Sequence, residues 1–192
     1  MSALKIGLVL ECASVDELET WLEANHDTAK EVWLRLARKG SGVVTVTRAE
    51  ALEIALAYGW IDGQAASQDG TYWLQRFTPR TRRSKWSQIN CEAAEKLIAE
   101  GRMKPAGLAA VNAAKADGRW DAAYAPPSAI TVPADLQERL DGNPTARAAF
   151  ERLNSRNRYA ILHQVADAKK PETRARRIEK FVDMLAREET IY

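Results

Sequence analysis

The spacing of apolar residues divides this chain into a part of mixed periods and a part of helical period alone. Leu4 to Leu10 reads as a strand. Ser14 and Glu17 then form a capping box, and Leu18, Trp21 and Leu22 make an apolar stripe at helical spacing up to Asn25-His26-Asp27. Val32 to Ala37 (VWLRLA) alternates apolar and polar, the pattern of a half-buried strand. Thr47 and Glu50 form a second capping box, opening a helix from Arg48 to Tyr58 that Gly59 stops. Trp60 to Gly63 reads as a short strand and Gln68-Asp69-Gly70 as a hairpin turn. Thr71 to Thr78 is the returning strand, with Tyr72, Leu74 and Arg76 on one face and Trp73, Gln75 and Phe77 on the other, ended by Pro79.

From Ser87 onward the period is helical. Helices are expected over Ser87–Glu100, Pro105–Ala116, Ala134–Leu140, Pro144–Leu153, Ser155–Ala168 and Pro171–Glu188, with a proline-containing linker over 121–133. The fold expected is α+β. A small, mainly antiparallel sheet with flanking helices occupies 1–120, and a helical module over 134–192 packs against it.

Composition narrows the class. A hydrophobic share of 46% with 28% charged residues is that of an ordinary globular chain. The net charge of +2 hides a polarity: residues 1–70 carry six Lys/Arg against eleven Asp/Glu, and residues 71–192 twenty-two against fifteen. An anionic partner is therefore expected to prefer the second part. Two cysteines (Cys12, Cys91) and two histidines (His26, His163) lack metal-type spacing, so neither a metal nor a cofactor is expected, and both thiols read as reduced. The run Ile6–Leu10 is too short for a secretory core, and Glu11 stands where lipoprotein cleavage needs a small residue. No membrane-spanning run is present, and the expected compartment is the cytoplasm.

Candidate chemistry concentrates in Gly59–Asn90. This stretch holds Trp60, Trp73 and Trp86, the acid Asp62 beside Gly63, and a basic run of Arg76, Arg80, Arg82, Arg83 and Lys85. Aromatic plates beside guanidinium forks suit a flat anion. The candidate ligand site is therefore Trp60, Asp62, Trp73, Arg76, Arg80, Arg82 and Trp86, lining a cleft for a small anionic or nucleotide-like ligand, with Arg76 and Arg80 on its wall. Each member also has a plainer reading. Asp62 serves equally as an ion-pair partner, the basic run as a solvated face, and the tryptophans as core. The turn Lys39-Gly40-Ser41-Gly42 is of a kind that cradles phosphate, but it lacks P-loop spacing and reads more simply as a connection. His163 reads as structural. The cations of the last helix read as a solvated face, and with no reading helix or RNA-binding signature the sequence argues against nucleic acid. No Ser-His-Asp or Cys-His motif is present.

Several segments, in order, resemble the YdeI/OmpD-associated family of bacterial proteins, also called the OmdA or bacteriocin-protection family: WLEANH, VWLRLARKGSG, ALAYGWIDGQ, LQRFTPR, SKWSQIN, GRMKPAGLAAV and AKADGRWDAAY. The stretch NRYAILHQVADAKKPETRARRIEKFVDMLARE is similar to the family's terminal module. The resemblance extends over about Ser14 to Thr190. It implies a role in bacterial survival of stress, cationic antimicrobial peptides or bacteriocins, and, in one branch, association with an outer-membrane porin. It implies no catalytic residues. Three readings stay open: a protective protein that binds a small anion, an uncharacterised enzyme using Asp62 with arginine clamps, and a basic module for nucleic acid or protein.

Overall fold

A computed structural model describes residues 5–192, which fall into two units, one up to Ala123 and one from Tyr124. In the first unit, β1 (Val9–Leu10), β2 (Val32–Ala37), β3 (Trp60–Ser67) and β4 (Tyr72–Pro79) form a mixed sheet in the order β1-β2-β4-β3. β1 runs parallel to β2, and the other two pairings are antiparallel. Leu4, the expected start of β1, lies outside the described residues. Among the described residues Val9 and Leu10 pair with β2, opposite Trp33 and Leu34, and the Leu8 carbonyl accepts the Trp33 N–H (2.8 Å).

β2 departs from the half-buried expectation. Val32, Trp33, Leu34 and Leu36 are all buried, because β2 is an inner strand covered on both faces. The β3–β4 hairpin turns at Asp69, whose carboxylate accepts the backbone N–H groups of Thr71 (2.8 Å) and Tyr72 (2.7 Å). Register slips by one residue between Asp62, opposite Phe77, and Ala65, opposite Gln75. The buried Gln75 amide donates to the Gly63 (2.9 Å), Gln64 (3.3 Å) and Arg76 (3.2 Å) carbonyls, satisfying groups that this bulge leaves out of the ladder.

One sheet face carries Val32, Leu34, Leu36 and Phe77 into a core shared with α1 (Val15–Asn25), α2 (Arg48–Ala57), α3 (Gln88–Ala99) and α4 (Pro105–Ala116). The α1 and α2 starts follow their caps: Thr47 and Glu50 close a reciprocal box, whereas at α1 Ser14 accepts from Glu17 N but the Glu17 carboxylate takes the Ala13 N–H (2.8 Å), so the box expected there is only half formed. α2 buries Ala51 and Ile54 to Ala57 and sits centrally, against α1, α3, α4 and β3. Its crossing with α4 depends on glycine. A Cβ on Gly107 would collide with the Ala57 carbonyl and the Met103 sulfur.

The second unit packs α5 (Ala134–Asp141), α6 (Pro144–Arg152), α7 (Ser155–Ala166) and α8 (Pro171–Ala186) around Leu136, Leu140, Phe150, Ile161, Leu162, Val165, Phe181 and Leu185. Arg174 of α8 is an internal tie, donating to Asp135 Oδ1 of α5 (2.8 Å) and the Val165 carbonyl of α7 (3.0 Å). Asn157, buried at the start of α7, accepts the backbone N–H groups of Ile191 (3.1 Å) and Tyr192 (3.0 Å). Among the described residues no helix is long and apolar enough to cross a membrane.

Candidate functional site

On the helix-bearing face of the sheet, where β2 ends and α2 begins, the chain encloses a concavity of about 420 Å³. Its rim is the turn from Arg38 to Thr47. Gly40 (φ +84°) and Gly42 (φ +77°) take left-handed conformations there, and a Cβ at either would meet nothing within 4 Å. Glycine is required for the backbone shape and not for space. The returning chain is fixed by Thr45, whose hydroxyl accepts the Ala37 N–H (2.9 Å), and by the Val46 N–H, which donates to the Cys12 carbonyl (2.9 Å). Leu36 and the half-buried Trp73, paired across β2 and β4, lie at the floor.

Among the described residues three cations line this concavity, and no carboxylate does. Arg38 donates to neutral acceptors, its Nε to the Asp69 carbonyl (3.0 Å) and its Nη2 to Ser67 Oγ (2.9 Å), and, after the Tyr72 and Thr71 N–H groups, its charge helps to hold the nearby Asp69 carboxyl below its ordinary value. Lys39 is exposed and makes no ion pair among the described residues. Arg48, in the first turn of α2, is ion-paired with Asp62. Three cations with two acids behind them, Asp62 and Asp69, a glycine turn and an indole floor make a basin for an anion that carries a flat group.

The seven residues singled out in the sequence do not converge. Trp73 lines the concavity, and Asp62 borders it through Arg48. Trp60 is buried in the core, its indole N–H on the His26 carbonyl (3.1 Å) and its ring edge-on to Trp21 at 6.0 Å. Arg76 stands opposite Trp33, on the sheet face away from the core helices, and is ion-paired with Glu31. Arg80 lies over the buried Trp86 ring at 3.6 Å and donates to the Lys85 carbonyl (3.1 Å), while Trp86 packs on Trp120 at 4.9 Å. Arg82 is exposed, in a loop that Arg119 braces through the Thr81 (3.2 Å) and Ser84 (3.1 Å) carbonyls.

Arg38, Lys39 and Arg48 carry the strongest anion-binding geometry and were not among those seven. A signal was present, in a basic glycine turn directly before a capped helix. What brings Trp73 to the same place is its register opposite Leu36, which no local spacing states.

A second polar cluster joins α1, α2 and α4. The buried Tyr58 hydroxyl donates to Glu23, Lys104 pairs with Glu19 (2.9 Å), and Lys104 lies 5.4 Å from the Tyr58 ring. Burial, and then the Glu23 carboxylate, push the Tyr58 phenol up to about 12. Its geometry is that of a structural tie. Cys12 and Cys91 are free and buried, and burial raises each thiol to about 11. Among the described residues no three His, Cys, Asp or Glu side chains gather as a metal site.

These features define an α+β protein with an electropositive concavity in its first unit and a helical second unit. Residues 10–110 match the model of a family described as a domain of unknown function, DUF8412, and the chain belongs to that family. Residues 129–188 match the model described as bacteriocin-protection, YdeI or OmpD-associated, so the second unit carries that family's module. The resemblance read along nearly the whole sequence thus divides between two family models. No curated protein and no solved structure gives a significant match.

Proposed function

We propose that this chain binds a small phosphorylated anion bearing a flat ring, a nucleotide-like ligand, in the concavity between the Arg38–Thr47 turn and Trp73. The observation that carries this reading is the lining itself: Arg38, Lys39 and Arg48 with no carboxylate among them, over a half-buried indole. Phosphate is favoured by forked and point-charge donors together, and the ring by the Trp73 face. The family description of the second unit supports a role in bacteriocin protection. The cytoplasm is the compartment proposed for it. Binding is favoured over catalysis because Asp62 is engaged by Arg48, and the lining has no histidine, cysteine or free carboxylate to move a proton.

Isothermal titration with adenosine diphosphate, pyrophosphate and adenosine tests it. Adenosine diphosphate is expected to bind, adenosine not, and Lys39→Gln to weaken the diphosphate about tenfold. Lys39 is exposed, so this variant keeps the fold. No heat with either diphosphate, or equal affinity in Lys39→Gln, refutes the reading.

A further inference from the structure

A second cavity, of about 520 Å³, opens within the second unit along one face of α7. That helix already meets the core of the unit through Ile161, Leu162 and Val165. Arg156, Tyr159 and His163, at i, i+3 and i+7, belong to another face and line the cavity. The rings there are fixed. Tyr159 and His163 lie 5.5 Å apart, Tyr124 stands edge-on to His163 at 5.0 Å, and the Tyr159 hydroxyl donates to the Ala125 carbonyl (3.4 Å).

The opposite wall is Tyr192, whose backbone is held by the Asn157 side chain, while the Asn157 Nδ2 also donates to Asn154 Oδ1 (3.2 Å). The Asn157 Oδ1 accepts the Ile191 and Tyr192 N–H groups, and its Nδ2 lies within hydrogen-bond distance of the Tyr192 carbonyl (3.5 Å). The Arg156 guanidinium stacks 4.0 Å from the Tyr192 ring centroid. Stacking occupies the flat face of a guanidinium and leaves its in-plane N–H edge open. Among the described residues that edge has no hydrogen-bond acceptor, and no Asp or Glu side chain lines the cavity.

We infer that this cavity is a second ligand site, for a planar aromatic monocarboxylate. The ring lies against Tyr159 and His163, and the carboxylate takes the in-plane fork of Arg156 held on Tyr192. A single cation suits one carboxylate rather than a diphosphate, and the volume suits one or two fused rings. This site stands whether or not the first unit binds phosphate, since it shares no residue with that concavity.

The test is an NMR titration of the full chain, following the Tyr159 and His163 ring resonances. The probes are 2-naphthoate, its neutral isostere naphthalene-2-carboxamide, and cyclohexanecarboxylate. Saturable shifts with 2-naphthoate are expected, and about tenfold weaker binding of both other probes. Arg156→Gln, an exposed substitution that leaves the core untouched, is expected to weaken 2-naphthoate about tenfold and leave the carboxamide unchanged. Shifts that never saturate, equal binding of all three probes, or equal loss of acid and amide in Arg156→Gln would overturn the inference.

Discussion

At the scale of single residues, burial decides what each polar group does. Tyr58 is 3% exposed and holds its proton up to about pH 12, where an unfolded tyrosine loses it near 10. Its folded value is the higher one, so its contribution to stability is complete below about pH 10 and disappears as pH rises to about 12. Chemical denaturation across that window should show the protein losing stability with pH, and the Tyr58→Phe variant should lack this component. A parallel pH dependence in the two would contradict the assignment. The thiols follow the same logic. With Cys12 and Cys91 buried and each raised to about 11, neither should react with an aromatic disulfide at pH 8 until the chain unfolds. Fast native-state labelling of either would show that the burial is wrong. Residue types alone pointed to tryptophan beside arginine, and that pairing exists, as Arg80 on Trp86. It lines no part of the concavity, because Trp86 is buried in the core, packed against Trp120.

At the scale of elements, helix ends and turns were legible in the sequence. The Ser14 and Thr47 caps, Pro105, Pro144 and Pro171 in first turns, and the Asp69 turn all stand where their chemistry puts them. The alternation of VWLRLA was legible as a strand but misleading about cover, since Trp33 and Leu36 on opposite faces are both buried. Nor did the sequence indicate the bulge after Asp62, whose extra residue is accommodated by Gln75, a side chain that reads as ordinary polar filler. Crossings between elements are equally invisible locally. Gly107→Ala places a methyl group against the Ala57 carbonyl at the α2–α4 contact, and a loss of about 1–3 kcal/mol is expected in denaturant unfolding. A neutral result would mean that α4 is free to move away from α2. In the Arg38–Thr47 turn, Gly42→Val forces a β-branched residue to φ near +77°. It should reduce affinity for adenosine diphosphate by reshaping the rim, with less effect on the fold, because no atom stands within 4 Å of the new Cβ.

At the scale of the whole molecule, two cores account for two units, and two family models fall one on each. The segment 121–133 joining them contains no helix. Elastase, which cleaves after small residues such as Ala122 and Ala129, should cut there first and leave two fragments that each stay folded. Initial cleavage inside α7 or β2 would contradict independent cores. The site was legible only in part at this scale, for a definite reason. The basic glycine turn and Trp73 are separated by some thirty positions in sequence, and the pairing of β2 with β4 is what closes that distance.

The central claim, that an anion with a flat ring sits over Trp73, is tested most directly through the indole N–H resonances of the six tryptophans during titration with adenosine diphosphate. The Trp73 signal, assigned by its absence in Trp73→Phe, should move saturably, while those of Trp60 and Trp86, buried in the core, stay in place. A Trp73 signal that stays fixed while the nucleotide binds, or a shift confined to Trp86, would put the ligand elsewhere and contradict the account.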